Sequence, residues 1–118
     1  MTARDSQSLL PLTPAVFHIL LALADGERHG YGIMQEIAQF TDGRLRLGPG
    51  TLYRSINQML ADGLIEECEG PAEAETRERR YYRLTAFGQR VAQAEMRRLA
   101  DLVAFGQSRR WSVEADGA

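Results

Sequence analysis

The chain has 118 residues, of which 44% are hydrophobic and 25% are charged, and its formal net charge is −2. This length predicts one domain with a core of its own, and the charge argues against a polycation that coats nucleic acid. All 14 basic residues are arginine, because the sequence contains no lysine. Arginine suits forked contacts with phosphates and bases, but a GC-rich genome would produce the same bias, so the excess carries little weight.

The residue types that carry chemistry are scarce. Cys68 is the only cysteine, and His18 and His29 are the only histidines, in different predicted elements, which argues against a disulfide framework and a zinc centre. No glycine-rich phosphate loop follows a strand, and no nucleophile–base–acid set is present, so we expect neither an enzyme nor a cofactor. The longest apolar run, at residues 19–24, is far too short to span a bilayer, and no signal pattern precedes it. We therefore expect a cytoplasmic protein.

The first predicted element is a helix over residues 14–24, with Thr13 as its N-cap and Pro14 at its first position. Apolar residues cover most of its circumference, which predicts burial on more than one side. In so small a domain we expect the core on one side and a partner subunit on another. Phe17, Leu20 and Leu21 are the residues predicted for that dimer interface. We interpret His18 as a packed or interfacial histidine rather than a ligand.

The second predicted helix covers residues 31–40 and ends in a turn at residues 41–43. Residues 44–47 alternate between polar and apolar, which is compatible with a very short strand or with an irregular lead into the next helix. The inward face of this helix is predicted to hold Ile33, Met34, Ile37 and Phe40.

The third predicted helix is the most informative stretch of the chain. Gly48 can serve as its N-cap, Pro49 suits its first position, and Gly63 ends it. At 100° per residue its apolar side holds Leu52, Ile56, Met59 and Leu60. The opposite side is polar and holds Gly50, Thr51, Arg54, Asn57 and Gln58, with Tyr53 on the flank.

That polar side carries the residue types that read bases in DNA. Arginine presents a fork to guanine, asparagine and glutamine can bond both edge atoms of adenine, and threonine can contact either base. A face that merely meets solvent more often carries Glu and Lys, and this one carries neither. The N-terminus of the helix adds unpaired N–H groups and the positive end of the helix dipole, which suit phosphate. The second and third helices thus form a helix-turn-helix arrangement, the alternative being an ordinary amphipathic surface helix.

Two extended segments follow, at residues 64–69 and 79–84, and the run GPAEAETRE between them predicts a loose hairpin tip. The fold class is therefore mainly α with a small β-hairpin wing, in which Tyr82 and Leu84 are core and Tyr81 is partly exposed. The arginines of the hairpin could contact DNA phosphates: Arg77, Arg79, Arg80 and Arg83. The alternative is that they neutralise the acids around them: Glu66, Glu67, Glu69, Glu73, Glu75 and Glu78.

Thr85 caps the last predicted helix, which covers residues 86–107. One apolar stripe on it is formed by Phe87, Val91, Ala94, Leu102 and Phe105. A second stripe, at 4-3-4 spacing, is formed by Ala92, Met96, Leu99 and Val103. A domain this small cannot cover two apolar faces, so we interpret the second stripe as a dimer interface. The alternative is a single helix folded back over its own core.

Three segments, HGYGIMQEI, GPGTLYRSINQMLADGLIE and RRYYRLTAFG, resemble the winged-helix domain of PadR-type transcriptional regulators over about residues 9–107. The resemblance is to the short subgroup with a single C-terminal dimerisation helix. It implies a DNA-binding domain at residues 9–84, a dimerisation helix at residues 85–110 and a polar tail at residues 111–118. It also implies a homodimeric repressor on an inverted-repeat operator in double-stranded DNA, with no membrane partner.

The resemblance also implies roles for single residues. Tyr31 and Tyr53 match positions that contact DNA phosphates, and Thr51, Arg54, Asn57 and Gln58 match the groove-facing side of the recognition helix. In the short subgroup an aromatic residue of the last helix can sandwich a flat ligand, which implies a small hydrophobic or aromatic effector. No mid-helix tryptophan is present here, so the candidate ligand-binding residues are Met96, Leu99, Phe105 and Trp111.

One feature departs from the family pattern. The hairpin is more acidic than the basic wing that such regulators would present to DNA. Together with the net negative charge, it supports an alternative function, a winged-helix module that binds proteins and not DNA.

Overall fold

The computed structural model describes residues 5–71 and 80–113. Within these residues the elements are α1 (Pro14–Ala22), β1 (Arg28–His29), α2 (Gly30–Phe40), α3 (Pro49–Ala61), β2 (Ile65–Glu69), β3 (Arg80–Leu84) and α4 (Ala86–Ser108). Four helices with a small antiparallel sheet confirm the predicted fold class for the described part of the chain. None of the helices in these two ranges is long and apolar enough to cross a membrane.

Threonine side chains cap two of the helices, α1 and α4, where the sequence predicts them. The hydroxyl of Thr13 accepts from the N–H of Val16 (3.2 Å) at α1, and that of Thr85 accepts from the N–H of Gly88 (2.9 Å) at α4. Each bond satisfies an N–H that has no partner within its helix. The helix α1 is two residues shorter than the predicted span of 14–24, because the chain turns after Ala22 and passes through Gly26, whose φ is +149°.

The end of α3 sets the start of the hairpin. Gly63 has a φ of +74°, and the N–H of Leu64 donates to the carbonyl of Met59 (2.9 Å), so the helix closes in a Schellman motif. The next residue, Ile65, begins β2. Helix α3 and the hairpin are therefore joined by a tight connection with a defined geometry.

The sheet has three strands in the described residues, in the order β1-β3-β2, and both pairings are antiparallel. In the hairpin, Ile65 pairs with Leu84 and Glu69 with Arg80. The sequence predicts only the two hairpin strands and misses β1, because two residues are too short to show an alternating pattern. Residues 44–47 are irregular, so the second of the two predicted alternatives holds there.

The helix α1 lies at the centre of the molecule and packs against α2, α3 and α4. One core joins the helices to the sheet, through Ile19, Leu20, Leu23, Ile33, Ile37, Leu52, Ile56, Met59, Leu64, Ile65, Tyr82, Phe87 and Val91. The inward position predicted for Phe40 is wrong, because its side chain is 45% exposed at the end of α2. Its ring stacks parallel to that of His18, with 6.0 Å between the ring centroids.

The helix α4 is buried in its first half and exposed in its second. Phe87, Gly88, Val91 and Glu95 are the buried residues, whereas Leu102 and Phe105, predicted on the same stripe as Phe87, are exposed. Gly88 lies against the backbone of Leu64, so that an added Cβ would be 2.8 Å from the Leu64 carbonyl carbon. This close approach fixes the start of α4 against the start of β2.

Candidate nucleic-acid interface

The helix α3 presents a polar surface to solvent. Its inward side chains, Leu52, Ile56 and Met59, are fully buried and hold the helix on the core. The residues predicted to face a DNA groove all lie exposed: Gly50, Thr51, Tyr53, Arg54, Asn57 and Gln58. The structure therefore brings the six predicted residues of this helix together on one outward surface, which we call the recognition face.

The polar groups of the recognition face are largely unused within the chain. In the described ranges, the side chains of Thr51, Arg54 and Asn57 have no hydrogen bond or ion pair. The exception is Gln58, whose amide nitrogen donates to the carboxylate of Asp62 (3.1 Å). The guanidinium fork of Arg54 and the amide of Asn57 can therefore form bidentate bonds with base edges.

The N-terminus of α2 lies beside the recognition face. The Tyr53 ring packs against Gly30, and an added Cβ there would lie 2.9 Å from its Cζ atom. A cleft of about 400 Å³ opens at this point and brings together four elements, β1, α2, α3 and β3. Its lining residues are His29, Gly30, Tyr31, Tyr53, Asn57, Arg80 and Tyr82. Four residues predicted to contact DNA line it: Tyr31, Tyr53, Asn57 and Arg80. The cleft offers phenol and guanidinium donors next to a helix N-terminus, which suits an anion.

His29 is a residue of this region that the sequence analysis did not assign. Its Nδ1 accepts the N–H of Gly32 (2.9 Å), so this nitrogen carries no proton and the imidazole caps α2. The ring also meets that of Tyr81 edge-on, with 5.2 Å between centroids. The sequence signal was weak because histidine is not among the preferred N-cap residues.

The two described arginines of the wing, Arg80 and Arg83, differ in how closely they pair with a carboxylate. The Nε of Arg83 donates to Glu66 (2.8 Å), its cross-strand partner, and this bond raises the pKa of the guanidinium. The neutralising alternative therefore holds for Arg83. Arg80 lies 3.7 Å from Glu67 in a looser pair, and its side chain is 78% exposed, so it retains donors for another partner. The predicted residues Arg77 and Arg79 lie outside the described residues.

The residues predicted for a dimer interface lie mostly on the surface. Leu21, Met96 and Val103 are exposed, and Phe17, Ala92 and Leu99 are partly buried. Leu20 has no surface for a partner, because it is 1% exposed inside the chain's own core. The other predicted residues have exposed surface that a partner subunit could contact.

The residues predicted to bind a ligand do not enclose a site in the single chain. Met96, Phe105 and Trp111 are exposed, and Leu99 is partly buried. The side chain of Trp111 is 75% exposed. The backbone N–H of Trp111 donates to the carbonyl of Gly106 (3.1 Å) near the end of α4. A ligand on these residues would need a second subunit to cover it.

Two further ionisable groups have shifted pKa values. Burial raises the pKa of the Cys68 thiol, and the nearby Glu27 carboxylate raises it further, so this cysteine is a poor nucleophile. Burial also raises the pKa of Tyr82 in the core. Among the residues that the structure describes, no three His, Cys, Asp or Glu side chains converge to hold a metal ion.

The sequence is similar to those of known transcriptional regulators. The sequence profile described as "Transcriptional regulator PadR-like family" matches residues 19–94, well over half of the chain. A protein of Mycobacterium tuberculosis, "Transcriptional regulator Rv3488", is 36% identical over 85 residues, which cover 72% of this chain and 75% of that protein.

Solved structures share the fold. A PadR family transcription regulator from hypervirulent Clostridium difficile R20291 matches with a TM-score of 0.66 and 22% identity over 84% of this chain and all of that one. Bacillus subtilis PadR, solved in complex with operator DNA, matches with a TM-score of 0.60 and 21% identity. That match covers 75% of this chain and 48% of the B. subtilis chain. At this identity the likeness shows the winged-helix fold.

Proposed function

The chain belongs to the transcriptional regulator PadR-like family, and we propose that it is a homodimeric repressor that binds an inverted-repeat operator through α3. The observation that carries the proposal is the recognition face, where Arg54 and Asn57 lie exposed and have no partner within the described chain. Because these two side chains form no hydrogen bonds within the described chain, they could bond to DNA without breaking any bond there. B. subtilis PadR, which shares the fold, was solved with operator DNA.

In this proposal α3 enters the major groove with its N-terminal turns toward the bases. Arg54 would present its fork to O6 and N7 of a guanine, and Asn57 would bond N6 and N7 of an adenine. Gln58 already donates to Asp62 (3.1 Å) through its amide nitrogen, so its carbonyl oxygen is the atom left to accept from an amino group of a base. Thr51 and Gly50 lie in the first turn, where small side chains let the backbone approach the DNA.

The cleft beside α3 would hold the DNA backbone. Tyr31, Tyr53 and Arg80 line it, and each has a donor that can reach a phosphate oxygen. Such contacts carry no sequence information but fix the depth and register of α3 in the groove. They would also make the affinity fall steeply with salt, because arginine–phosphate contacts release counterions.

The dimer would form through the exposed half of α4, with Phe17 and Leu21 of α1 at its margin. Met96, Leu99 and Val103 form an apolar seam that the single chain leaves largely uncovered, and burying it would remove apolar area from water. A two-fold axis through this seam would set two recognition helices about 34 Å apart, one turn of DNA. A small hydrophobic or aromatic effector would bind where a partner subunit covers Met96 and Leu99, near the end of α4 that carries Phe105 and Trp111. The proposal requires a location in the cytoplasm, with the DNA.

A protein-binding module without DNA binding is the second candidate. One observation favours it: the wing pairs Arg83 with Glu66 and Arg80 with Glu67, which reduces the positive charge available for phosphates. This candidate predicts no DNA retention even at low salt, whereas the repressor predicts tight and salt-sensitive retention.

The test is fluorescence anisotropy of the purified protein titrated onto DNA from upstream of its own gene, with a scrambled duplex in parallel at several salt concentrations. The repressor proposal predicts a preference for the native duplex and a steep salt slope. If the native duplex is not preferred, selection from a genomic DNA library identifies a distant operator. Failure of that selection to enrich any sequence, with no binding at low salt, would support the protein-binding module instead.

A further inference from the structure

Glu95 is the one charged side chain that is buried among the described residues, with 2% of its surface exposed. A buried carboxylate is costly unless charged or polar groups satisfy it. Its Oε2 accepts the backbone N–H of Leu12 (2.9 Å) and Nη2 of Arg98 (3.1 Å), and its Oε1 accepts Nε of Arg98. The carboxylate is thus held by a two-bond arginine fork and by a backbone group from another part of the chain.

The bond to Leu12 joins two distant segments. Leu12 lies 83 positions before Glu95 and directly precedes Thr13, the N-cap of α1. Leu9, Leu10 and Leu12 pack against the core, so the N-terminal segment is itself fixed to the winged-helix domain. Glu95 therefore ties α4 to the domain at a defined point and in a defined direction.

Glu95 is also the last buried residue of α4. Beyond it, each described residue of the helix is exposed or only partly buried, and the apolar seam begins at the next position, Met96. Because the helix continues without interruption to Ser108, a tilt at Glu95 moves the whole seam. An apolar side chain would fill the same space, but it would lack the directional bonds that define one orientation.

We propose that Glu95 is a positioning residue that sets the angle between the projecting half of α4 and the winged-helix domain, and thereby the separation of the two recognition helices. The proposal rests on the proposed function, because the angle of α4 sets that separation only when α4 carries the dimer seam. Its partners are Leu12 in the N-terminal segment and Arg98 one turn further along α4.

Three variants separate the bonds of Glu95 from its volume and from general charge effects. Glu95→Leu keeps an apolar side chain in the buried space and removes both sets of bonds. Glu95→Gln keeps an acceptor for Leu12 but loses the ion pair with Arg98, and it serves if the leucine variant does not fold. The matched control is Asp101→Asn, which removes an exposed acid on the side of α4 that faces away from the seam.

The measurement is the distance between the two subunits by double electron–electron resonance. The labelled chain carries Cys68→Ser and Ala61→Cys, so that each dimer has one spin label at the exposed end of each recognition helix. We expect one narrow distance distribution for the parent and for Asp101→Asn. Glu95→Leu should give a shifted or broadened distribution, and Glu95→Gln, which keeps the acceptor for Leu12, should give a smaller change of the same kind. Unchanged distributions in both Glu95 variants would overturn the proposal.

A second readout uses a pool of operators that differ only in half-site spacing. The parent should prefer one spacing, and the Glu95 variants should lose that preference even where their affinity for a single half-site is kept. A variant with lower stability but the parental spacing preference would show a merely structural role and overturn the proposal. A parent with no dipolar coupling between labels would instead overturn the homodimer itself, and the positioning role with it.

Discussion

At the scale of single residues, the arginines differ in whether their N–H donors already form hydrogen bonds within the folded chain. Arg83 donates to its cross-strand neighbour Glu66, and Arg28 donates to Glu36 (3.0 Å) and to the carbonyl of Ala22 (2.9 Å). Arg54 has no such neighbour in the described chain, because the outward side of α3 carries no carboxylate near it. The N–H donors of Arg54 therefore stay available for another partner.

Gly30 supports the recognition face through Tyr53. We expect Gly30→Ala to keep the fold, because its new Cβ would meet the far end of the Tyr53 ring rather than backbone. The displaced tyrosine would lose its place in the cleft, so operator affinity should fall while the free energy of unfolding changes by less than about 1 kcal/mol. Anisotropy titration and urea unfolding of the same samples measure the two effects.

The matched control for that variant is Gly106→Ala in the second half of α4, whose Cβ would come no closer than 3.6 Å to another side chain. It should leave the Tyr53 ring in place and the stability unchanged or slightly raised. If Gly30→Ala binds the operator as tightly as the parent, the assigned role of Tyr53 is wrong.

The ion pair between Glu95 and Arg98 predicts that part of the folding stability is lost at acid pH. The bonds from Arg98, followed by the N–H of Leu12, lower the pKa of this carboxyl in the folded state against the opposing effect of burial. A lowered folded pKa means that the charged form adds stability above the unfolded pKa and that this stability is lost as the pH falls through the folded pKa. The stability difference between the parent and Glu95→Gln should therefore shrink below about pH 4, under the ordinary range of a glutamate.

Urea unfolding at several pH values measures this difference, and Asp101→Asn is the control because its side chain is exposed. Taking the difference from the parent cancels the titration of the other carboxylates. A Glu95→Gln difference that stays constant between neutral and acid pH would contradict the assigned ion pair.

Single residues also mark the limits of what the sequence predicts. Leu12, the partner that joins Glu95 to the rest of the domain, lies 83 positions away. A glutamate between two apolar stripes fits an ordinary solvent-facing position, so the local pattern does not predict its burial. Phe40 fits the apolar pattern of α2 but lies at the last position of the helix, where the core no longer covers it. Both cases depend on how elements pack, which a local pattern does not contain.

At the scale of elements, the caps explain why the helices were predictable. Thr13, Thr85 and the pair Gly48-Pro49 are local signals, and the helices they predict begin at Pro14, Ala86 and Pro49. The strand β1 was not predictable, because its two residues are extended only through pairing with Tyr81 and Tyr82 of β3. Local chemistry therefore sets the helices, and tertiary pairing sets the third strand.

The junction between α3, β2 and α4 depends on Gly88. An added Cβ would overlap the carbonyl of Leu64, which is backbone and cannot rotate away. We expect Gly88→Ala to lower the free energy of unfolding by about 3 kcal/mol, at the upper end of the range for overpacking. Urea unfolding measures the change, and Gly106→Ala is again the control since its Cβ would make only an ordinary van der Waals contact. A Gly88→Ala protein as stable as the parent would contradict the close packing of α4 on β2.

At the scale of the whole molecule, the exposed half of α4 is the feature that a single chain does not explain. Met96, Leu102, Val103 and Phe105 are all exposed on this segment. We expect Val103→Asp to convert a dimer into a folded monomer, because a charge in the seam would lose its hydration on association. Light scattering after size exclusion gives the mass, and circular dichroism checks the helical content.

Ala104→Asp places the same charge at the next position, which is exposed and lies about 100° around α4 from Val103, outside the seam. It should leave the dimer intact. A Val103→Asp protein that remains dimeric would place the interface elsewhere on the molecule.

If the recognition face reads DNA, discrimination between bases depends on Arg54. Anisotropy titrations would compare the parent, Arg54→Ala and the control Arg97→Ala, an exposed arginine of α4. The duplexes are the selected operator and a set with one base pair changed at a time. Arg54→Ala should cost about 1–3 kcal/mol on the operator and relax discrimination at one base position, while Arg97→Ala keeps it. Equal discrimination by all three proteins would contradict DNA reading by the recognition face.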